Sequence, residues 1–443
     1  MDGSTAEPAP AATGSRTVAP TLTAVARLRT TVSLACAASI AVAACSGGDD
    51  ATPDTTAPGT TSTTVPERTD DGVLTLGILL PASNAAIGEP MIAAVNEAVS
   101  RINDADGVFG KQVDVHEADE GSTAASAAEG IQALADRHVD AIIGPSSSTI
   151  ALSTLSQAVS DGIVTCSPTA SALALDTFPD DELFFRTIPS DSLQAQAIAQ
   201  TIEDTGLQTA AITFVDDAYG RPFAEAVDAA LTASEITVAD SIPFTGPDDD
   251  RTSEAAAELI ATGAPALVVI AAAEDGTSML NALGQEDHGD VAIVVVNDAI
   301  RAPSPPQIIS DLDADFREKI VGVAPQADSS DPDEPWDPPG FFAVNAYNCA
   351  NLIALAAMQA DSDSPRQIAG QMAAVSDNGA QCMSFDACAE HFRNGRSFDY
   401  DGPVGELELG ARQGDPTVGQ FQQFSFDDTG RDVVEGTLVV RYP

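Results

Sequence analysis

Positive charge is scarce in this 443-residue sequence, which has 19 lysine and arginine residues against 67 aspartate and glutamate residues. Only two of the cations are lysines, Lys111 and Lys319, and the formal net charge at pH 7 is −48. A protein that binds DNA or RNA needs a basic surface to neutralise the phosphates. The composition therefore excludes nucleic acid as a partner. The acidity itself is typical of a solvated surface suited to saline surroundings.

Histidine and the common catalytic motifs are also scarce. No histidine lies in an H-E-x-x-H zinc motif, and the sequence has no G-x-S-x-G nucleophile elbow. The Gly-Lys pair at Gly110-Lys111 is followed by Gln112 and lacks the spacing of a P-loop. We therefore expect a protein that is not an enzyme and that holds no metal or cofactor. The four histidines are His116, His138, His288 and His391.

Long hydrophobic runs are absent except near the N-terminus. Arg27 and Arg29 precede the small apolar run 31–44, which is shorter than the roughly 20 residues that a membrane-spanning helix needs. A basic patch, a short apolar run and small residues before a cleavage point are typical of a secretory signal. The two alanines directly before Cys45 resemble the lipobox of bacterial lipoproteins, in which this cysteine carries the lipid. We predict a signal peptide over 1–45 and an exported chain anchored by lipid on the outer face of the cytoplasmic membrane; the alternative is a short membrane-anchor helix.

Large apolar side chains are almost missing from residues 46–72, which are mostly Ser, Gly, Asp, Thr and Pro. Such a segment cannot bury enough surface to offset the entropy lost on ordering, so we predict a disordered tether. The roughly 370 residues that follow are too many for one ordinary core and suit two lobes.

Cysteine is sparse, and its distribution suggests disulfides. Two of the six cysteines fall in the predicted signal peptide, which leaves an even number in the exported part. An even number in an exported domain favours disulfide pairing. Cys382 and Cys388, six residues apart in a stretch that resembles a loop, are the first candidate pair. Cys166 and Cys349 are a possible second pair, by elimination alone.

From residue 73 onward, short apolar segments alternate with helical patterns. This alternation predicts βαβ units and parallel sheets with helices on both faces, an α/β fold. The rhythm occurs twice and suggests two sheet units of similar order, although no sequence repeat aligns by eye. The predicted strands are 73–80, 113–116, 141–143, 163–166, 183–187, 210–215, 236–242, 267–271, 292–296 and 320–323. A long helix is predicted over 341–358, and hairpin-like strands over the last 45 residues.

Six stretches, in order, resemble the branched-chain amino-acid-binding family of type I periplasmic binding proteins. They share the family's order and spacing, which makes the resemblance specific, and the similarity weakens after residue 240. The stretches are LGILLP from Leu76, INDADGVFGK from Ile102, IGPSSS from Ile143, SPTAS from Ser167, FRTIPSD from Phe185 and DAYG from Asp217.

The resemblance implies two Rossmann-like lobes that are joined by three crossovers and close on a ligand in the cleft between them. The first lobe of this protein would then contain residues 73–188 and 323–400. Its second lobe would contain 189–322, with 401–443 supplying the last crossover and the end of this lobe.

In the first lobe, the resemblance implies ligand contacts in two polar loops. Ser148 matches a serine that binds the α-carboxylate of an amino acid, and Ser171 matches a threonine with the same role. Thr169 matches a position whose main-chain carbonyl receives the ammonium, and Ala170 lies between them. The residues support this independently, because a serine-rich turn between a strand and a helix offers hydroxyls and a helix N-terminus to an anion. The alternative is ordinary helix capping by serine.

In the second lobe, Tyr219 matches a cleft tyrosine, and Asp298 falls near the acidic residue that pairs with the ammonium. Phe342, in the second part of the first lobe, matches an aromatic of the side-chain pocket. The alternatives are a packed tyrosine at a helix start and a solvated loop aspartate. The sequence departs from the family at Ile87 and at 271–275, where aromatic residues are usual. The pocket is therefore expected to be roomier, and branched-chain specificity does not carry over.

These patterns together predict a solute-binding protein that captures an amino acid or a similar small polar solute and delivers it to an ABC permease. We expect it to act as a monomer. The alternatives are a ligand-sensing receptor subunit of the same fold and a binder of an amide, urea or a polyamine.

Overall fold

A computed structural model describes residues 70–246, 250–301, 306–326, 340–410 and 414–442 of the chain. The predicted signal peptide, Cys45 and most of the predicted tether lie outside these ranges. Most of the acidic, proline-rich stretch before the long predicted helix also lies outside them.

The described residues form alternating strands and helices. In chain order the strands are β1 (Thr75–Leu80), β2 (Asp114–Asp119), β3 (Ala141–Ile143), β4 (Val164–Ser167), β5 (Phe184–Arg186), β6 (Thr209–Val215), β7 (Thr237–Phe244), β8 (Ala266–Ile270), β9 (Ile293–Asn297), β10 (Ile320–Pro325), β11 (Ala380–Cys382), β12 (Phe398–Tyr400), β13 (Val418–Phe426) and β14 (Asp432–Arg441). The helices are α1 (Ala85–Asp104), α2 (Ala124–Ala135), α3 (Ser148–Ser160), α4 (Asp191–Glu203), α5 (Gly220–Ala233), α6 (Asp250–Ala261), α7 (Ala273–Gln285), α8 (Pro306–Asp311), α9 (Ala314–Arg317), α10 (Ala343–Ala360), α11 (Pro365–Met372) and α12 (Phe385–Arg393).

Two sheets organise the fold. The first is parallel, with strand order β2-β1-β3-β4-β5. The second has the order β14-β13-β10-β9-β8-β6-β7, and its strands β6 to β10 are parallel while β13 and β14 are antiparallel additions. Strands β7-β6-β8-β9-β10 repeat the order of the first sheet, so the two lobes share a topology that the sequences do not reveal.

Helices cover both faces of the central strands, and this explains why a strand such as β8 is apolar at every position. Along β8, Leu267 and Val269 belong to one hydrophobic cluster, whereas Val268 and Ile270 belong to another on the opposite face. Because successive side chains of a strand point to opposite faces, a doubly covered strand must be apolar at every position. The predicted α/β fold with two parallel-sheet lobes is confirmed.

Helix α10 returns to the first lobe and packs against α1. All its side chains from Ala343 to Ala357 are buried, including those of Asn345, Asn348 and Asn351. A disulfide joins Cys349 of this helix to Cys166 of β4. A second disulfide joins Cys382 to Cys388.

Two local predictions were wrong. The stretch between Cys382 and Cys388 is not a loop, because the first cysteine ends β11 and the second lies in α12. The buried face of α12, with Phe385, Cys388 and Ala389, has helical spacing that was overlooked. The long helix begins after Phe342, whose φ of +60° lies in the left-handed region.

The end of the predicted tether is also held in place. The main-chain N–H groups of Asp71 and Val73 donate to Asp363 Oδ2 at 3.2 and 2.8 Å. Over the ranges that the structure describes, no helix is both long and apolar enough to cross a membrane.

Candidate functional site

The candidate site lies at the carboxyl ends of the parallel strands in both lobes. Open parallel sheets bind ligands at this edge, near the point where the strand order reverses. The order reverses between β1 and β3 in the first sheet and between β6 and β8 in the second. Of the predicted residues, Ser148 follows β3, Thr169 and Ser171 follow β4, Tyr219 follows β6 and Asp298 follows β9.

The serine loop after β3 is held by a buried carboxylate. Glu120 Oε2 accepts from the N–H and the hydroxyl of Ser146 at 2.9 and 2.6 Å, and its Oε1 accepts from the Ser147 N–H at 2.9 Å. Burial raises the pKa of Glu120, and these hydrogen bonds oppose the shift. Two N–H groups that an anion could have used are therefore already occupied, which the sequence analysis did not anticipate.

Ser148 is not used for helix capping. Ser147 caps α3, with its hydroxyl accepting from the Ile150 N–H at 3.4 Å. The half-buried Ser148 instead accepts from the Ala172 N–H at 3.2 Å. Its hydroxyl proton remains able to donate to a ligand, and its position links the loop after β3 to the loop after β4.

The loop after β4 is tied to the serine loop by hydroxyl groups. Ser167 donates to the Pro145 carbonyl at 2.6 Å and accepts from the Ala170 N–H at 3.0 Å. Thr169 donates through Oγ1 to the Ser146 carbonyl at 2.5 Å. These bonds hold the two loops side by side, with Ser148, Thr169 and Ser171 half-buried and Ala170 buried.

Tyr219 lies at the start of α5 in the second lobe. Its hydroxyl accepts from Asn297 Nδ2 at 3.0 Å, and Asn297 Oδ1 accepts in turn from the Ala271 N–H at 3.0 Å. Burial raises the pKa of Tyr219 well above its usual value, and the charges of Asp191 and Asp298 raise it further. The tyrosine, both carboxylates and the end of β9 are thus close neighbours.

Asp298 is held by a glutamine from α4. Gln194 Nε2 donates to Asp298 Oδ1 at 2.9 Å and to the Val323 carbonyl at 2.8 Å. Burial raises the pKa of Asp298, and the bond from Gln194 opposes that shift. The carboxylate is positioned by the fold and is not a freely solvated loop aspartate.

Asp191, the first residue of α4, is the most unusual group at this edge, and the sequence analysis did not single it out. Asp191 is 1% exposed, and neither carboxylate oxygen has a hydrogen bond of ordinary geometry among the described residues, although the side chain of Ser171 lies near enough to favour the charged form. Burial and the nearby charge of Asp298 raise its pKa to about 7, and Ser171 and Arg186 only partly offset this. In the sequence, an acid at a helix start after Pro189-Ser190 looks like an ordinary first-turn residue.

The predicted residues are not all brought together. Asp191 is the link between the lobes, because its N–H donates to the Ser171 carbonyl at 2.9 Å while its carboxylate faces Tyr219 and Asp298. Phe342 is half-buried against the core of the first lobe, with its ring 6.4 Å from that of Phe341. No described hydrogen bond or ring contact joins it to the other predicted residues.

The Ala170 main chain is used within the protein. Its N–H donates to Ser167, as above, and its carbonyl accepts from Arg186 Nη1 at 3.2 Å. Among the residues that the structure describes, no group of three or more His, Cys, Asp or Glu side chains could hold a metal ion.

The arrangement suits a small dipolar molecule. The first lobe offers the hydroxyls of Ser148 and Ser171, which can donate to an anionic group. The second lobe and α4 offer two carboxylates, Asp191 and Asp298, whose shielding from water makes a cationic partner favourable.

Comparisons with known proteins agree with the fold. A model of the periplasmic binding protein family matches residues 74–398. The substrate-binding protein BasB of a chemotactic signal transduction system, from Halobacterium salinarum, is 27% identical over 366 residues, which cover 79% of this chain and 86% of BasB.

Two solved structures show the same fold. An ABC transporter substrate-binding protein from Desulfitobacterium hafniense, in complex with Leu, has a TM-score of 0.64 and 20% identity, and the match covers 82% of this chain and 99% of that one. The branched-chain amino acid transporter substrate-binding protein LivJ from Streptococcus pneumoniae, in complex with isoleucine, has a TM-score of 0.62 and 19% identity, and the match covers 84% and 100%. Since the family model matches well over half of the sequence, the chain belongs to the periplasmic binding protein family, with the type I fold.

Proposed function

We propose that this protein is an extracytoplasmic solute-binding protein that captures an amino acid, or a similar small polar solute, and delivers it to an ABC permease. The observation that carries the proposal is the buried carboxylate of Asp191, which lies beside Asp298 and has no hydrogen bond of ordinary geometry among the residues that the structure describes. A buried charge of this kind is costly unless a cation neutralises it. An α-ammonium group is such a cation.

The capture step uses both lobes. The α-carboxylate binds the hydroxyls of Ser148 and Ser171 on the first lobe, and the ammonium binds Asp191 and Asp298. A ligand that contacts groups of both lobes favours the conformation in which they are close, so closure is a shift in population. The closed form is then the one that the permease recognises.

The export signal and the lipid on Cys45 belong to the same proposal. They would hold the protein on the outer face of the cytoplasmic membrane, as a monomer beside the permease. The two structural neighbours are complexes with leucine and isoleucine, which supports an amino acid as the ligand class.

A thermal-shift screen tests the proposal. A ligand that binds only the folded state raises the melting temperature by mass action. We expect at least one α-amino acid to raise it, among a panel that also contains amides, polyamines and urea. A rise with an amide or polyamine, and with no α-amino acid, would overturn the roles assigned to Ser148, Ser171 and Asp298.

A sensory role is the second candidate, and the relative BasB supports it because its name places that protein in a chemotactic system. The same closed form would then be read by a membrane receptor instead of a permease. Measuring whether the ligand-loaded protein stimulates the ATPase of a reconstituted permease, or instead binds a receptor ectodomain, separates the two roles.

A further inference from the structure

Arg186, the last residue of β5, carries a fully buried charge that the proposed binding site does not use directly. Its side chain is 0% exposed. Nε donates to Asp415 Oδ1 at 2.6 Å, and Nη2 donates to the carboxylate of Asp176. The charge is therefore compensated by two carboxylates, of which Asp176 is 10 residues away along the chain and Asp415 is 229 residues away.

The remaining arm of the guanidinium holds the loop after β4. Nη1 donates to the carbonyls of Ala170 and Ala172 at 3.2 and 3.3 Å. These two residues flank Ser171, and the Ala172 N–H bonds to Ser148. Arg186 thus fixes the main chain on both sides of one ligand-binding serine and, through Ala172, the position of the other.

The same cluster reaches the helix that carries Asp191. Asp176 accepts from the hydroxyl of Ser190 at 2.9 and 3.0 Å. Ser190 caps α4, and the next residue, Asp191, donates its N–H to the Ser171 carbonyl. Arg186, Asp176 and Ser190 therefore form one connected path between the loop of the first lobe and the start of α4.

We propose that Arg186 is a positioning residue that holds the segment 170–172 in its ligand-binding geometry and sets the start of α4 against it. The inference rests on the proposed binding function of Ser148, Ser171 and Asp191. This positioning role requires an arginine, because the planar guanidinium has five N–H donors in a rigid fork. A lysine ammonium is a compact charge and cannot hold two carbonyls and two carboxylates that lie in different directions.

The test uses the full chain with Arg186→Lys. The probe is L-leucine, or the amino acid that gives the larger shift in the thermal screen. We expect Kd to rise by roughly tenfold or more, as when supporting groups of a binding site are removed. We also expect amide hydrogen exchange in residues 169–176 to become faster in the ligand-free protein while exchange in β8 and β9 does not change.

Leu134→Ala is the matched control. Leu134 is 1% exposed near the end of α2, in a hydrophobic cluster of the same lobe. This variant should lower the melting temperature while Kd stays within about twofold of the wild-type value, because truncating a core leucine is costly without changing the loop.

Each result bears on the proposal. A Kd for Arg186→Lys within about twofold of wild type, or the same loss of affinity in Leu134→Ala, would overturn it. If Arg186→Lys does not fold, Asp415→Asn is measured in its place, and an unchanged Kd there also overturns the inference. If the wild-type chain binds no amino acid, the proposed function fails, and the exchange of residues 169–176 still decides whether Arg186 holds the loop.

Discussion

Replacing Asp191 by asparagine should stabilise the ligand-free protein at pH 8 and weaken its binding of an amino acid. The pKa of this buried carboxyl is about 7, against an ordinary 3.8. A raised native pKa means that the folded state prefers the protonated acid. The folded state therefore has its full stability below pH 4, where Asp191 is protonated, and loses part of it as pH rises through 7. At about 1.4 kcal/mol per pKa unit, the loss is about 4 kcal/mol.

Urea unfolding of the wild type and Asp191→Asn at pH 4 and pH 8 measures this quantity. The difference in the free energy of unfolding between the two proteins should widen by about 3 to 4 kcal/mol in favour of the variant at pH 8. Asp204→Asn is the control, since Asp204 is an exposed carboxylate at the other end of the same helix. A widening below about 1 kcal/mol, or one of opposite sign, would refute the view that Asp191 is buried without a partner.

Binding should show the complementary effect. An ammonium ligand requires the charged carboxylate of Asp191, so a proton is released on binding near pH 6.5. Only about a tenth of the ligand-free protein is ionised at pH 6, so Kd should be about tenfold higher there than at pH 8. Calorimetry in buffers of different ionisation enthalpy measures the released proton. Asp191→Asn should bind more weakly at pH 8, with a Kd that does not change over this range.

Three further predictions concern single groups. Ser148→Ala should weaken binding by about 1–3 kcal/mol, because it removes a donor to a buried anion, and an unchanged calorimetric Kd would contradict the carboxylate site. Tyr219→Phe should cost about 1–3 kcal/mol in urea unfolding, since Asn297 Nδ2 loses its acceptor; no loss would show that water replaces it. Replacing Cys166 and Cys349 by serine should cost up to about 5 kcal/mol, because the disulfide spans 183 residues, and an unchanged urea midpoint would contradict this.

Most of the fold was accessible from local patterns. The strand predicted at 141–143 agrees with β3 to the residue, and other strand ends differ by up to three residues. A strand that is covered on both faces is a continuous apolar run in the sequence. Such a run can be recognised without knowing which distant residues pack against it. The start of α10 was misplaced because two phenylalanines extend the apolar pattern past the point where Phe342 turns the chain away from the helix.

The candidate site was less accessible. The resemblance pointed to Ser148, Tyr219 and Asp298, which come shortly after strands β3, β6 and β9. It did not single out Asp191, because an acidic residue at a helix start is common. Nothing in the neighbouring residues of the sequence shows that the side chain of Asp191 is shielded from water. Glu120 was missed for the same reason: its hydrogen bonds to Ser146 and Ser147 cross 26 and 27 residues of sequence.

The sequence by itself determined the α/β class, the two-lobed organisation and the polar loops at strand ends. These features follow from hydrophobic periodicity and turn residues, which act over a few neighbouring positions. Only the tertiary structure decided which polar groups meet: that Asp191 is buried beside Asp298, and that Arg186 bonds to Asp176 and Asp415. The sequence shows that a residue is a carboxylic acid. The free-energy cost of its charge, however, depends on how much water and which partners remain around it after distant segments have packed.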